Sequence, residues 1–328
     1  MKVVTIREPG GPEVLEMSER PEPPLGGDQV RVRVRASGLN RADLIQRKGG
    51  YPAPPGVSDD VPGLEYSGTV EEVGEACRLR RPGDRVMGIL SGGGYAECLV
   101  VPERATIRVP EEVGLTEAGA IPEVFLTAWD ALGNLGQLRS GESVLIHAIG
   151  SGVGTAALQL ARAMGATTFG TSRTRDKVAG ALELGLDAGV VADAAGHWVE
   201  EVKRRSRGHG VDVILDLVGA TYIEWNLDVL GNRGRWVVVG VPGGAKGAID
   251  LRRLMAKRAT VHGTVLRARP DEEKTALARE FERTVVPLFE RGLLKPVIDR
   301  TYSPSQAADA HRRMEANESF GKLMLVWE

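Results

Sequence analysis

The stretch from Glu142 to Gly165 narrows what this chain can be more than any other. Val144-Leu145-Ile146 is a short apolar run of strand type, and it leads into His147-Ala148-Ile149-Gly150-Ser151-Gly152-Val153-Gly154. Beyond it Val153, Ala156, Ala157, Leu160, Ala161 and Met164 recur at three- and four-residue steps, which places them on one face of a helix. A glycine-rich turn therefore stands at a helix N-terminus, where unpaired N–H groups and the helix dipole favour a pyrophosphate and missing side chains let it approach. The expectation is a dinucleotide site with Gly150, Ser151, Gly152, Val153 and Gly154 as its contacts. The glycines fall two apart, so the usual GxGxxG spelling is not met; if Gly154 is the helix-packing glycine, Ile149 and Ser151 hold the other two positions. A βα turn without any ligand is the bland alternative.

Around this unit the apolar rhythm alternates. Thr167 to Thr171, Val211 to Leu215 and Trp236 to Val239 read as buried strands, with helices over Lys177 to Leu184 and after Thr221. Such βαβα alternation implies a parallel sheet covered by helices on both faces. The part before residue 122 differs, being strand-rich and broken by Gly and Pro. There Val30, Val32, Val34 and Ala36 alternate with Arg31, Arg33 and Arg35, a strand with one buried and one solvated face. After residue 265 the chain offers an amphipathic helix over Asp271 to Arg291, another over Ser305 to Glu315 and a last strand over Leu323 to Trp327. The expected division is thus 1–122, 123–265 and 266–328, the tail completing the first part.

Composition sets the class. With 328 residues, 42% apolar, 26% charged and a net charge of -2, the chain reads as globular, with no global attraction to nucleic acid or anionic membrane. No apolar signal core follows Met1 and no window is apolar enough to span a bilayer, so a cytoplasmic protein is expected. Two cysteines, Cys77 and Cys98, cannot form a four-thiolate zinc site or a disulfide framework. His147 reads as a core histidine in the buried strand.

The end of the second strand bears on cofactor choice. An acid there would bind the ribose hydroxyls of NAD, whereas basic residues accommodate the extra phosphate of NADP. This chain has Ser172-Arg173-Thr174-Arg175-Asp176-Lys177, so Arg173 and Lys177, with the Ser172 hydroxyl, point to NADPH. The alternative is a solvated helix start with Thr174 as its N-cap.

The chain resembles the medium-chain dehydrogenase/reductase superfamily in its quinone oxidoreductase (zeta-crystallin-like) branch. The likeness rests on Ser37-Gly38-Leu39-Asn40-Arg41-Ala42-Asp43, Pro62-Gly63-Leu64-Glu65-Tyr66-Ser67-Gly68, Gly83-Asp84-Arg85-Val86, Gly93-Gly94-Tyr95-Ala96-Glu97, Ala120-Ile121-Pro122, Leu126-Thr127-Ala128 and the tail His311 to Asn317 with Gly321-Lys322. Within that branch the Ser151 to Ala157 turn and Asn40 to Asp43 are most similar to the tumour-suppressor-inducible group. The resemblance implies an α/β fold: a doubly wound, parallel-sheet (Rossmann) cofactor domain inserted in a β-rich, GroES-like catalytic domain.

It also implies roles. Asn40, Asp43 and Tyr51 would line the catalytic cleft, Tyr51 donating to a quinone oxygen or merely packing under a Pro-rich loop. Thr127, Gly240 and Val241 would meet the nicotinamide side, and Asn317 would reach the cofactor from the tail. Zinc-dependent relatives carry Cys and His where this chain has Asn40 and Leu64, which removes soft ligands and implies no metal. Many relatives place a tyrosine near the 2′-phosphate where this chain has Ala192, which leaves the phosphate to Arg173 and Lys177. The implied activity is zinc-independent, NADPH-dependent reduction of a quinone, in a homodimer or homotetramer. Reduction of an enal or enone is the alternative on the same scaffold. A low-turnover NADPH sensor or an RNA-binding protein is a third, which the neutral-to-acidic charge opposes.

Overall fold

The computed structural model describes all 328 residues, in two compact units: residues Met1–Leu126 with Leu266–Glu328, and residues Thr127–Val265. In the first unit the strands are β1 (Lys2–Ile6), β2 (Leu15–Glu19), β3 (Gln29–Gly38), β4 (Glu65–Val73), β5 (Arg85–Ile89), β6 (Cys98–Pro102) and β7 (Ile107–Arg108), with helix α1 (Arg41–Arg47) after β3 and α2 (Leu115–Ala118) after β7. Helix α3 (Pro122–Trp129) runs across the boundary between the units, so residues 123–126 sit with the β-rich part rather than with the inserted domain.

The second unit holds β8 (Ser143–Ile146), α4 (Gly152–Ala163), β9 (Thr167–Ser172), α5 (Arg175–Glu183), β10 (Ala188–Val191), α6 (Trp198–Arg205), β11 (Val211–Asp216), α7 (Ile223–Val229), β12 (Leu230–Val238), α8 (Leu251–Lys257) and β13 (Thr260–Gly263). The chain then returns to the first unit through α9 (Asp271–Thr284), α10 (Val286–Glu290), β14 (Ile298–Tyr302), α11 (Ala307–Glu315) and β15 (Lys322–Val326).

The first unit is built on a sheet in the order β14-β15-β3-β4-β5-β7, with β6 also paired to β3. The last strand closes it: Met324 pairs with Gly38 and Val326 with Ala36, antiparallel. Alternation in β3 works as the sequence predicts. Val30, Val32 and Val34 are buried with Tyr66, Val70, Val86, Leu323, Leu325 and Trp327. On the other face Arg31 meets Glu22 and Glu72, Arg33 meets Glu71, and Arg35 donates to the Trp327 carbonyl, so the arginine row is a paired surface. The single helix expected over Asp271 to Arg291 is two, because Pro287 has no N–H to donate and its ring opposes the preceding turn.

All six strands of the second unit run parallel, in the order β10-β9-β8-β11-β12-β13. The chain builds outward from β8 to β10, then crosses to the far side of β8 to continue with β11. That reversal leaves a crevice beyond the carboxyl ends of β8 and β11, where ligands of doubly wound sheets bind. No helix of the chain is long and apolar enough to cross a membrane.

Candidate functional site

The glycine turn follows β8 at that reversal. Ser151 caps α4, its Oγ accepting from the Gly154 N–H at 3.0 Å. A Cβ on Gly154 would fall 2.5 Å from the Ala148 carbonyl oxygen and 2.7 Å from that of Ile149, so the helix can start this close to the strand only with glycine there. Ala148 takes a φ of +48°, an unfavourable conformation for a residue with a side chain, and the turn is held by Ile149 N–H to Thr171 O at 2.9 Å and Ser151 N–H to Ala148 O at 2.8 Å. Lys177 lies across Gly150, whose absent Cβ would meet the lysine stem at 2.9 Å. The turn thus has open backbone, a twelve-residue helix behind it and a lysine drawn against it, a fit for a dinucleotide pyrophosphate.

Beneath the turn His147 is fully buried, as expected, and satisfied. Asn226 Oδ1 can only accept, so His147 Nε2 donates to it at 2.7 Å and Nδ1 accepts from Thr171 Oγ1 at 2.8 Å. The Asn226 amide donates in turn to Asp216, which also accepts from Trp236 Nε1 and from the Val218 and Gly219 N–H groups. Burial drives the His147 pKa down, with the Asp216 charge opposing. This network pins the ends of β8, β9 and β11 to one another. The rings of Trp198, Tyr222 and Trp225 stack against it and one another at 4.9–6.0 Å, a cluster sequence reading missed because its members come from separate elements.

Arg173 is exposed just past β9, and its charge acts on the half-buried Tyr222 phenol, whose pKa burial raises and Arg173 lowers. Ser172 is buried, and Thr174 occupies the N-cap position of α5. Gly240 and Val241 follow β12, Val241 46% exposed, and Thr127 is buried in α3.

The first unit gathers a second set. Glu65 at the start of β4 is fully buried, and the Lys322 ammonium meets its Oε1 at 2.5 Å. Lys322 also donates to Asn40 Oδ1 at 2.8 Å and to the Leu39 carbonyl. The Asn40 amide donates to the same Glu65 oxygen at 3.0 Å, while Glu65 Oε2 accepts from the Glu123 N–H at 2.8 Å. Three segments distant in sequence therefore converge on one carboxylate. Gly38 leaves the room, since a Cβ there would lie 2.2 Å from Glu65 Oε1. Leu64 points an apolar side chain into the core, 2% exposed.

Asp43, expected in the cleft, is 1% exposed and has both oxygens occupied. It accepts from the Asn40 N–H at 2.7 Å, Gly63 N–H at 3.2 Å and Tyr95 OH at 3.1 Å. Burial lifts its pKa to about 6 against these donors and the Lys322 charge. Its geometry is that of a brace for the β3–α1 corner that carries Asn40. Behind it Arg47 can only donate, so His311 Nδ1 accepts from it at 3.2 Å and Nε2 donates to the Tyr95 oxygen at 3.2 Å. Burial and the neighbouring Arg47 charge push His311 down to about 3, so it stays neutral.

Tyr51 is partly buried with the Arg267 guanidinium 4.4 Å from its ring centre. Arg267, itself 4% exposed, ties the surrounding loops by donating to Tyr51 O, Ser91 O and Gln46 Oε1. Burial raises the Tyr51 pKa. Asn317 takes a φ of +57°; its Oδ1 accepts from Arg41 at 2.7 Å and its amide donates to the Glu315 carbonyl. Two residues escaped the sequence reading altogether. Arg267 and Glu123 carry no motif; only the Pro122-Glu123 start of α3, next to the Ala120-Ile121-Pro122 block, offered a signal.

Comparison with known proteins adds to this geometry. Residues 26–111 match the family described as alcohol dehydrogenase GroES-like domain, and residues 152–282 that described as zinc-binding dehydrogenase. The chain is 31% identical to human quinone oxidoreductase over 331 residues, 99% of this chain and 98% of that one. Among solved structures, an NAD-dependent alcohol dehydrogenase superposes with a TM-score of 0.89 at 32% identity, covering all of both chains. The Escherichia coli quinone oxidoreductase complexed with NADPH gives 0.87 at 28% identity over the whole of both chains. The CurK enoyl reductase gives 0.87 at 26%, covering 99% of this chain and 98% of that one. With full-length likeness in sequence and fold, the chain belongs to the medium-chain dehydrogenase/reductase superfamily, in its quinone oxidoreductase branch.

Proposed function

We propose that this oxidoreductase is a zinc-independent, NADPH-dependent reductase of quinones. The observation that carries the reading is the buried Lys322 ammonium bonded to Asn40 and Glu65. It supplies a fixed positive charge beside the Asn40 and Leu64 positions, where a divalent cation would meet an ammonium, an amide already in use and a hydrocarbon side chain. An acceptor on this scaffold must therefore be electrophilic without a Lewis acid, as a quinone is. The human relative and the Escherichia coli structure support the same acceptor class.

When bound, the cofactor supplies a hydride, two electrons with one hydrogen, from its dihydronicotinamide ring. The chain's own residues do the rest. The α4 N-terminus and the backbone of Gly150 to Gly154 bind the pyrophosphate, with Lys177 close by. Arg173, Lys177 and Ser172 receive the 2′-phosphate, since no acid stands at the end of β9 to bind a free ribose hydroxyl. Thr127, Gly240 and Val241 border the nicotinamide. Tyr51 orients the acceptor oxygen, beside an Asn40 amide that Glu65 and Lys322 hold in place and Asp43 braces from behind. Reduction of an α,β-unsaturated carbonyl is the second reading, favoured by the likeness to an enoyl reductase.

The test is turnover with NADPH and NADH against a panel of quinones and enones. The expected result is higher kcat/KM for NADPH and for quinones, with Arg173→Ala cutting the NADPH preference about tenfold, the loss of one charge-assisted contact. Preference for enones would transfer the chain to the second reading, and preference for NADH would overturn the phosphate assignment.

A further inference from the structure

Reduction of a carbonyl acceptor needs a proton as well as a hydride, and the Tyr51 phenol, which burial makes a weaker acid, orients the acceptor without giving up its proton. Asp43 is sealed and fully used as an acceptor, His311 is neutral and buried behind Tyr95, and Lys322 is locked to Glu65. We propose that Glu123 is the proton donor to the reduced acceptor, a role that rests on the reductase reading above.

Position comes first. Glu123 opens α3 directly after Pro122, and its own N–H donates to Glu65 Oε2, which fixes its backbone on the carboxylate that Asn40 and Lys322 share. Its side chain is only partly buried, and its carboxyl makes no hydrogen bond or ion pair within the chain. Every other acid of the cluster is spent: Glu65 on Lys322 and Asn40, Asp43 on three donors. Glu123 is the one carboxyl there free to meet a ligand and open enough to be reloaded from water.

Charge comes second. The groups acting on it are Glu65 from β4, Asp43 from α1, Lys322 from β15 and Arg267 from the loop before α9, and it acts in turn on Tyr51. Glu65 already holds the negative charge that Lys322 neutralises, so a second carboxylate beside it would be left uncompensated. Burial first, then the Glu65 and Asp43 charges, push the Glu123 pKa up to about 8 against the opposing pull of Lys322 and Arg267. The group is therefore a neutral acid at pH 7, the form a donor requires.

The step balances. A quinone that has taken a hydride is an anion with its charge on oxygen. The O–H bond of Glu123 breaks and a new O–H bond forms on that oxygen, giving the hydroquinone and a Glu123 carboxylate. Water then returns one proton to Glu123, so the sum is reduced cofactor, quinone and one proton going to oxidised cofactor and hydroquinone. The same transfer would complete the enolate left by hydride addition to an enone.

Two readouts test it. In cofactor-free protein, infrared difference spectra across pH 6 to 10 should contain a protonated-carboxyl band that titrates near pH 8 and is missing in Glu123→Gln. In single-turnover reduction with excess NADPH, the wild-type rate should fall as pH rises through about 8. Glu123→Gln should be about 100-fold slower at pH 7 with that limb gone, and Glu123→Asp should recover part of the rate with a displaced limb. A Glu123→Gln rate and pH limb equal to wild type, or an ionised Glu123 at pH 7, would overturn the assignment. Should Glu123→Gln fold poorly, Glu123→Asp decides: an undisplaced limb overturns the proposal and a displaced one supports it. Wild-type protein inert towards both quinones and enones would sink the reductase reading and the donor role together, whereas normal wild-type turnover with an unmoved limb sinks the donor role alone.

Discussion

The glycine turn of the second unit and the charge cluster of the first, the two halves of the proposed site, are built by opposite means. The turn is made of backbone: one continuous stretch, Glu142 to Gly165, in which what matters is the absence of side chains. The cluster is made of side chains from the β3–α1 corner, β4 and β15, with the Glu123 N–H at the start of α3, and what matters is that each buried charge finds its partner. Backbone construction tolerates change in what surrounds it but not in the glycines themselves. Side-chain construction tolerates change in local sequence but not loss of a single partner.

That contrast can be broken most directly at Lys322. Lys322→Met should lower stability by about 4 kcal/mol, because Glu65 would be left fully buried without its cation. The measurement is a urea transition, and Lys322→Met combined with Glu65→Gln should recover much of the loss. A single variant as stable as wild type would show that the cluster is not held by its charges.

The turn offers a smaller effect of another kind. Gly154→Ala places a Cβ against the backbone of Ala148 and Ile149, so the turn must open. NADPH affinity, followed by fluorescence titration, should fall about 30-fold, or about 2 kcal/mol. Stability should change less than affinity. Unchanged affinity would mean that the pyrophosphate does not rest on this turn.

The smallest effect separates the two buried histidine networks by pH. The folded pKa of His311 is about 3, below its ordinary 6.5, so the unfolded chain takes a proton that the native chain refuses. Its contribution is therefore complete above about pH 6.5 and declines as pH falls toward 3. One unit below 6.5, at pH 5.5, the loss should be about 1.4 kcal/mol. Comparing urea midpoints at pH 7.5 and 5.5 for wild type and His311→Gln checks this. The variant should lose less on acidification; an equal loss would assign the acid sensitivity elsewhere, with His147 the next candidate.

Legibility in the sequence followed the same divide. The parallel sheet, the turn and the arginine face of β3 were readable because strand and helix periods act on neighbouring residues. The break between α9 and α10 was also written locally, at Pro287, where a helical pattern alone argued for continuity. Asn40 and Asp43 are singled out by the family resemblance of their segment, but not their partners. Only the fold shows that the Asn40 amide serves Glu65 and Lys322 and that three donors seal Asp43. Arg267 gave no warning and Glu123 only its place beside the Ala120-Ile121-Pro122 block, since an arginine in a loop and an acid in the first turn of a helix are ordinary surface residues by pattern.

By itself, then, the sequence determined the parallel sheet covered by helices, the glycine turn that opens α4 and the basic residues after β9, all properties that arise within a few consecutive residues. Tertiary structure alone decided which carboxyls hold a charge. Ionisation depends on burial and on the nearest charges, and for Asp43 and Glu123 those are set by Lys322, Glu65, Tyr95 and each other, brought together from positions up to hundreds of residues apart.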